Sequence, residues 1–137
     1  MRNQNIILDT SVLVALINRS DSNHIWAVQE WMQLKSPALT CEAVISETCF
    51  LLKRKYLIEA VFEMIEIGAI AIAFNLQKES SNVRSLMSRY ESVPMSFADA
   101  CLVRMSEQIL NSAVMTLDSD FQIYRKYRNQ EISLIKP

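Results

Sequence analysis

Four acidic residues occupy positions from which their carboxylates could act together: Asp9, Glu47, Asp99 and Asp118. The first follows the aliphatic run Ile6-Ile7-Leu8, and the last follows an apolar run over 113–117. Both runs are too short for helices and lack polar alternation, which is typical of strands buried on both faces of a parallel sheet. In open α/β folds ligands bind at the carboxyl edge of such a sheet, so Asp9 and Asp118 are predicted to lie where a ligand binds.

The spacing of neighbouring strands gives this pair a chemical consequence. If the two strands are adjacent, about 4.8 Å apart, their terminal carboxylates lie close together. Two carboxylates so placed repel each other, and the pKa of one rises, unless a cation neutralises them. Mg²⁺ and Mn²⁺ favour oxygen ligands and usually bind one or two protein carboxylates together with waters and a substrate phosphate. The pair therefore predicts a site for a hard divalent cation.

Each acid also has a purely structural interpretation. Asp9 could cap the helix that begins after it, and Asp99 could interact with the positive end of its own helix, which is worth ~0.3–1 kcal/mol. Glu47 could be an ordinary half-exposed acid, with Arg54 predicted on the same helix face as a partner for a carboxylate or a phosphate. An unpaired acid on an apolar helix face is costly, however, and this favours a site shared by all four.

Apolar runs alternate with amphipathic segments along the whole chain. Strands are predicted over 6–8, 38–41, 69–74, 113–117 and 132–135, and helices over 11–18, 24–35, 42–55, 58–67, 77–89, 96–110 and 121–127. Gly68, the only glycine, is a natural C-cap, and Ser119 or Asp120 is expected to cap the last helix. This alternation predicts an α/β fold, a three-layer α/β/α sandwich around a mostly parallel sheet.

Length and composition indicate one globular unit. The chain has 137 residues, of which 50% are hydrophobic and 21% charged, so a single domain is expected over 1–137. No apolar run approaches the ~18 residues of a membrane-spanning helix. The polar N-terminal segment shows no signal-peptide pattern. We therefore expect a cytoplasmic protein without a membrane partner.

The cysteines and the single histidine argue against several classes of site. Cys41, Cys49 and Cys101 are odd in number and lack C-x-x-C spacing, which disfavours a disulfide framework and a zinc site. Free buried thiols are expected instead. His24 is the only histidine and lies in a polar segment, so a serine- or cysteine-based triad and a histidine-built metal site are both disfavoured.

The sequence around the four acids resembles the PIN-domain family. The resemblance rests on Ile7-Leu8-Asp9-Thr10-Ser11, on Val44-Ile45-Ser46-Glu47, on Ala98-Asp99-Ala100-Cys101-Leu102-Val103 and on Met115-Thr116-Leu117-Asp118-Ser119-Asp120-Phe121. Order and spacing match over essentially the whole chain, and the last two motifs particularly resemble the short VapC-like members. One such motif is weakly specific, whereas four in register are fairly specific.

The resemblance implies a compact α/β/α fold with a five-stranded parallel sheet and an acidic pocket at its carboxyl edge. It also implies Mg²⁺- or Mn²⁺-dependent cleavage of RNA by an endoribonuclease, often the toxin of a toxin–antitoxin pair. The catalytic and metal-binding acids of the family correspond to Asp9, Glu47, Asp99 and Asp118.

Supporting roles also follow from the resemblance. Ser11 and Thr116 match positions that support the site through hydrogen bonds, and Asp120 is expected to assist. As a hypothesis, Asp9 and Asp99 are the principal metal ligands, with the other two acids acting directly or through waters. If Asp9 binds a metal, Ser11 becomes the expected cap of the first helix.

Substrate and protein partners are inferred less directly. A net charge of −1 does not indicate a nucleic-acid binder, but the field of a small site depends on local arrangement. Bases that could contact RNA around the acids, each of which could equally belong to a solvated helix face, are Lys53, Arg54 and Lys55, followed by Arg84, Arg89, Arg104, Arg125, Lys126 and Arg128. The abundant apolar residues over 50–65, together with the resemblance, predict a homodimer or a groove for an antitoxin helix.

Two other α/β folds with acids at the sheet edge fit less well. A receiver-type phosphorylation module needs an acidic neighbour near its first acid and a phospho-acceptor after a middle strand, and this chain has neither. A haloacid-dehalogenase-like phosphatase needs Asp-x-Asp, whereas Thr10 and Ser11 follow Asp9. The alternatives that remain are a PIN ribonuclease of RNA processing without a toxin role, and a catalytically silent PIN-like domain that only binds a partner.

Overall fold

A parallel sheet forms the centre of the computed structural model, which describes residues 3–137. In chain order the strands within that range are β1 (Asn5–Leu8), β2 (Ala38–Thr40), β3 (Ile70–Ile72), β4 (Ser112–Met115), β5 (Arg125–Lys126), β6 (Gln130–Glu131) and β7 (Leu134–Ile135). Five of them form the central sheet in the order β3-β2-β1-β4-β7, with every neighbouring pair parallel. The other two form a small antiparallel pair, β5–β6. Met1 and Arg2, part of the polar N-terminal segment, lie outside the described residues.

Helices cover both faces of the sheet. The α-helices are α1 (Thr10–Ile17), α2 (His24–Trp31), α3 (Glu42–Leu52), α4 (Lys55–Glu66), α5 (Leu76–Arg89) and α6 (Phe97–Gln108). Helix α1 contacts α2, α3 and α4, whereas α5 packs on α6, which also contacts β1 and β4. The return of the chain from the edge strand β3 to β4 takes this last pair to the other face. The three-layer α/β/α architecture is therefore confirmed.

The strand that ends in Asp9 lies in the middle of the sheet. Leu8 of β1 pairs with Met115 of β4, and both side chains are fully buried. Such two-sided burial is what the continuous aliphatic runs predict for central parallel strands. The apolar run over 69–74 predicts the same two-sided burial, and this prediction was wrong, because β3 is a short edge strand and Ile72 is 38% exposed.

Several helix ends differ from the prediction. The predicted 24–35 helix ends at Trp31, and the predicted 42–55 helix ends at Leu52, because Lys53 adopts a positive φ of 65° that interrupts the helical backbone. A separate helix then begins at Lys55. Gly68 does cap α4: its φ is +81°, its N–H donates to the carbonyl of Ile65, and the next residue donates to Met64. None of the helices described over 3–137 is long and apolar enough to cross a membrane.

Candidate active site

The carboxyl ends of β1 and β4 bring two of the predicted site segments together. The backbone N–H of Asp9 donates to the carbonyl of Met115 at 3.1 Å, one residue beyond the last strand pair. The residues that follow each strand, Thr10-Ser11 and Thr116-Leu117-Asp118, therefore start from the same point of the sheet edge. This is the arrangement that the two strand–acid motifs predict for a parallel sheet.

Asp9 is a buried carboxylate, only 4% exposed. Its Oδ1 accepts a 2.7 Å hydrogen bond from the N–H of Thr10, so Asp9 is the N-cap of α1. The expectation that Ser11 would take over this capping role was wrong. Burial raises the pKa of Asp9 to about 6; the hydrogen bond from Thr116 opposes the rise, and the negative charges of Asp99 and Asp118 add to it.

Ser11 and Thr116 connect the two strand ends instead. The Thr116 hydroxyl donates to Asp9 Oδ2 at 2.6 Å and accepts from the N–H of Asp118 at 2.9 Å. The Ser11 hydroxyl donates to the same Oδ2 at 3.3 Å and accepts from the N–H of Leu117 at 3.1 Å. Both side chains are thus hydrogen-bond donors to Asp9.

Asp118 organises the turn after β4. Its Oδ1 accepts a 2.9 Å hydrogen bond from the N–H of Asp120 and caps a 3₁₀ helix over Ser119–Gln122. The expected cap, Ser119 or Asp120, and the longer predicted helix over 121–127 were therefore wrong. Asp120 shapes this turn through its backbone, and its carboxylate acts electrostatically on Tyr124.

Asp99 occupies the first turn of α6, where its N–H donates to the hydroxyl of the N-cap Ser96 at 3.0 Å. Its Oδ2 accepts a 2.8 Å hydrogen bond from the hydroxyl of Tyr124. Burial raises the pKa of Asp99, and the charges of Asp118 and Glu47 add to the rise. The first turn of α6 therefore presents an acid that shares an electrostatic field with the other three.

Tyr124 is the site residue that the sequence did not reveal. It is fully buried, with its ring packed edge-on against Tyr90 at 5.1 Å and Phe121 at 5.2 Å between ring centroids. Burial raises the pKa of its hydroxyl, so Tyr124 acts as a neutral hydrogen-bond donor. The only sequence signal was the spacing of Phe121 and Tyr124 after the Asp-x-Asp motif, which is typical of any amphipathic turn.

Glu47 lies at the border of the group. It is exposed on α3 and not buried on an apolar face as expected, although its charge still acts on Asp99. Because α3 ends at Leu52, Arg54 does not continue the face of Glu47 and is instead the N-cap residue of α4. We call Asp9, Glu47, Asp99 and Asp118 the acidic cluster.

Within residues 3–137 the acidic cluster is not offset by an ion pair with a cationic side chain. In the described part of the chain none of its four members forms a salt bridge with lysine, arginine or histidine. Nor do any three Asp, Glu, His or Cys side chains of that part form a ready-made ligand set for a metal ion. The structure thus provides carboxylates that repel one another and that are partly held in place by uncharged hydrogen-bond donors.

Two of the bases predicted to surround the acids are engaged elsewhere. Arg104 binds Glu79 at 2.6 Å and Glu107 at 3.1 Å, and Arg125 donates to the carbonyls of its own turn. Lys53, Arg54 and Lys55 are exposed and form no salt bridge within the described residues. They remain candidates for contacts to a phosphate backbone.

Comparison with known proteins identifies the family. The PIN domain family model matches residues 6–127, which is most of the chain. Among solved structures, VapC20 of Mycobacterium tuberculosis, described as a sarcin–ricin loop cleaving toxin, is similar with a TM-score of 0.69 and 23% identity, covering 91% of this chain and 100% of that chain. No curated protein matches the sequence significantly. The resemblance inferred from the four acid motifs is thereby confirmed, and the chain belongs to the PIN domain family.

Proposed function

We propose that this protein is an endoribonuclease that hydrolyses RNA phosphodiester bonds at the acidic cluster with the help of Mg²⁺ or Mn²⁺. The observation that carries the proposal is the mutual repulsion of Asp9, Asp99 and Asp118 at the carboxyl edge of the sheet, without a cationic partner among residues 3–137. Membership of the PIN domain family and the similarity to VapC20 agree with it. In this proposal the whole chain, residues 1–137, acts as one PIN-like domain.

The donor set fits a hard divalent ion. Every side chain in the acidic cluster offers oxygen, the ligand that Mg²⁺ and Mn²⁺ prefer. A ready-made set of three or more protein ligands is not required, because Mg²⁺ is usually held by one or two carboxylates together with waters and substrate phosphate. We assign Asp9 and Asp99 as the principal ligands, with Asp118 and Glu47 completing the site directly or through waters.

The protein's own groups would orient this chemistry. A divalent ion held by these carboxylates would supply positive charge against the phosphate and would lower the pKa of a bound water. Thr116 and Ser11 fix Asp9 Oδ2, and Thr10 fixes Oδ1, so that the carboxylate cannot rotate away. Tyr124 fixes Asp99 Oδ2 in the same way. These neutral donors hold the acids in place without supplying a positive charge that would compete with the ion.

Cleavage of a labelled single-stranded RNA tests the proposal. Asp9→Asn and Asp99→Asn should abolish cleavage in Mn²⁺ and leave the circular dichroism spectrum unchanged, whereas Glu91→Gln, at an exposed acid outside the cluster, should cleave as wild type. EDTA should stop the wild-type reaction. Full activity in EDTA would contradict a role for the metal.

Thermal unfolding at increasing Mn²⁺ concentration separates an enzyme from a catalytically silent PIN-like domain. Binding of Mn²⁺ to the native state alone raises the melting temperature. We expect such a rise for the wild type and a much smaller one for Asp9→Asn. No shift at millimolar Mn²⁺, together with no cleavage, would favour the silent domain.

We further propose that Lys53, Arg54 and Lys55 contact RNA phosphates. Lys53 and Arg54 form the exposed link after α3, which carries Glu47, and the exposed Lys55 begins α4. Neutralising one phosphate contact should reduce the slope of log affinity against log salt by about 1. Lys55→Gln is therefore expected to bind RNA with a smaller salt slope, whereas Lys136→Gln, at an exposed lysine near the C-terminus, should match the wild type.

A toxin role and protein partners complete the proposal. Exposed apolar side chains on α3 and α4 include Phe50, 77% exposed, and Phe62, 49% exposed, which suit a homodimer interface. A groove of about 670 Å³ between α1, α2 and α4, lined by Leu16, Val28 and Leu57 among others, suits an antitoxin helix.

Growth assays test the toxin role. Induced expression of the wild-type protein should arrest growth, whereas expression of Asp9→Asn should not. Co-expression of a small neighbouring gene should restore growth. Light scattering that shows a monomer at micromolar concentration would contradict the dimer.

A further inference from the structure

A second concave site lies on the same sheet edge as the acidic cluster. It is a cavity of about 490 Å³ formed where β2 leads into α3, β3 leads into α5, and α6 begins. Its volume is within the range of cavities that bind small organic ligands. Two of its helices also carry cluster acids: α3 carries Glu47 and α6 carries Asp99.

The walls of this cavity offer flat apolar surface. Phe74 and Phe97 both line it, and Phe97 is 41% exposed although its neighbour Ala98 is buried. Among the described residues, neither phenylalanine ring stacks with another aromatic ring. Proteins that read single-stranded RNA stack unpaired bases on aromatic side chains placed in this way.

The rim of the cavity offers polar groups with hydrogen-bonding capacity left over. Asn75 accepts a hydrogen bond from the N–H of Lys78 through Oδ1, which leaves its amide N–H groups available. Gln77 and Glu42 also line the cavity, and both are exposed. No side-chain hydrogen bond or salt bridge occupies either of them within the part of the chain that the structure describes. Apolar faces with a few convergent polar groups are typical of a specific ligand site.

Sequence proximity links the cavity to the acids. Phe97 precedes Asp99 by two residues in the first turn of α6, and Glu42 precedes Glu47 by five residues in α3. A strand of RNA with its phosphate at the acidic cluster would therefore have a neighbouring nucleotide within reach of the cavity.

We propose that this cavity, lined by Phe74, Phe97, Glu42, Asn75 and Gln77, binds an unpaired guanine next to the cleaved bond and sets the sequence preference of the enzyme. The inference rests on the proposed ribonuclease function. Phe97 and Phe74 supply the stacking surface. Glu42 accepts from the adjacent N1–H and N2–H₂ donors of guanine, which form the one base edge that offers a carboxylate two donors side by side. A phosphate is disfavoured in the same position, because the Glu42 carboxylate would repel it.

Cleavage of an RNA series tests the base preference. Short single-stranded RNAs that differ in one nucleotide beside the cleaved bond are compared by kcat/KM in Mn²⁺. We expect guanine to be preferred at one position by roughly 5- to 150-fold, the discrimination of one bidentate base contact. Glu42→Gln should remove most of this preference. Phe97→Leu should raise KM for every base at that position. Phe97→Tyr, which keeps the ring, should have the wild-type KM. Glu91→Gln serves as the matched control and should keep the guanine preference.

Binding of GMP to the wild-type protein in EDTA tests the cavity without any cleavage. We expect chemical-shift changes at the backbone amides of Glu42 and Leu76 and at the side-chain amides of Asn75 and Gln77, which Glu42→Gln weakens. If GMP produces these changes but no RNA is cleaved with any metal, the proposed function fails and the base site stands. If RNA is cleaved with no base preference sensitive to Glu42→Gln and GMP leaves these amides unmoved, the base site is overturned and the nuclease stands.

Discussion

The hydroxyl of Thr116 donates a 2.6 Å hydrogen bond to Oδ2 of Asp9 and joins the ends of two adjacent strands that are 107 residues apart in sequence. The same oxygen of Thr116 accepts from the N–H of Asp118. One side chain therefore positions two members of the acidic cluster. Because hydrogen bonds to charged groups are the stronger ones, contributing about 1.5–3 kcal/mol, this position should be sensitive to substitution.

Replacing Thr116 tests this linkage. Thr116→Val keeps the side-chain volume but leaves Asp9 Oδ2 with only the longer bond from Ser11, and the N–H of Asp118 without its acceptor. We expect a loss of about 1–3 kcal/mol in the free energy of unfolding and a further rise in the pKa of Asp9. The acid limb of the pH–rate profile should move to higher pH. Thr116→Ser, which retains the hydroxyl, should stay close to wild type in both urea unfolding and pH profile; an equal shift for the two variants would mean that the methyl group matters and the bond does not.

Asp9 should destabilise the metal-free protein at neutral pH. Its pKa in the folded protein is about 6, above the ordinary 3.8, so the folded state binds this proton more tightly than the unfolded state. The stability it contributes is present at low pH and is lost as pH rises from about 4 through about 6. The loss amounts to roughly 3 kcal/mol, because the folded and unfolded pKa values of this carboxyl differ by about two.

Thermal unfolding in EDTA measures this effect. Asp9→Asn should raise the melting temperature at pH 7.5, flatten the dependence on pH between 4 and 6, and abolish cleavage. The gain in stability should be smaller than that full loss, since the amide has one acceptor oxygen and cannot replace both carboxylate oxygens, one of which accepts from Thr116 and Ser11 and the other from the N–H of Thr10. A variant less stable than the wild type at pH 7.5 would mean that the hydrogen bonds to Asp9 outweigh the cost of burying its charge.

The pairing of Asp9 with the Asp118 turn followed from local sequence, because an aliphatic run that ends in an acid indicates both the strand and its carboxyl edge. The burial of β3 was overestimated, since an apolar run cannot show whether its strand lies at the centre or the edge of a sheet. Helix α3 was predicted to be too long because apolar periodicity continues past Leu52. A glycine would have indicated the positive φ at which the helix ends, but this φ is adopted by Lys53. Long-range partners were the least predictable part: nothing around Tyr124 indicates that its hydroxyl reaches Asp99, 25 residues earlier.

Tyr124 is expected to be a positioning residue for Asp99. Tyr124→Phe keeps the ring that packs against Tyr90 and Phe121 but removes the 2.8 Å hydrogen bond to Asp99 Oδ2. The pKa of Asp99, already raised by burial, should rise further, and cleavage should fall about tenfold with its acid limb moved to higher pH. Tyr56→Phe, at a 67% exposed tyrosine of α4, is the control. A lower rate with an unchanged pH profile would point to a packing defect instead.

Arg104 should contribute to stability and not to RNA binding, contrary to its place among the predicted rim bases. It lies on α6 and binds Glu79 of α5 and Glu107 of its own helix, with 22% of its side chain exposed. The pKa of Glu79 is lowered by this pairing, so the stability it adds is present at neutral pH and is lost as pH falls through that lowered value.

Arg104→Met should therefore lower the free energy of unfolding by about 1 kcal/mol at pH 7, the upper range for a partly exposed pair, and by less at acidic pH. The salt slope of RNA affinity should not change, because no phosphate contact is lost. Arg84→Met, at an exposed arginine of α5, should leave stability as it is. A reduced salt slope for Arg104→Met at unchanged stability would return Arg104 to the RNA-contacting surface and would mean that its two carboxylate partners release it when RNA binds.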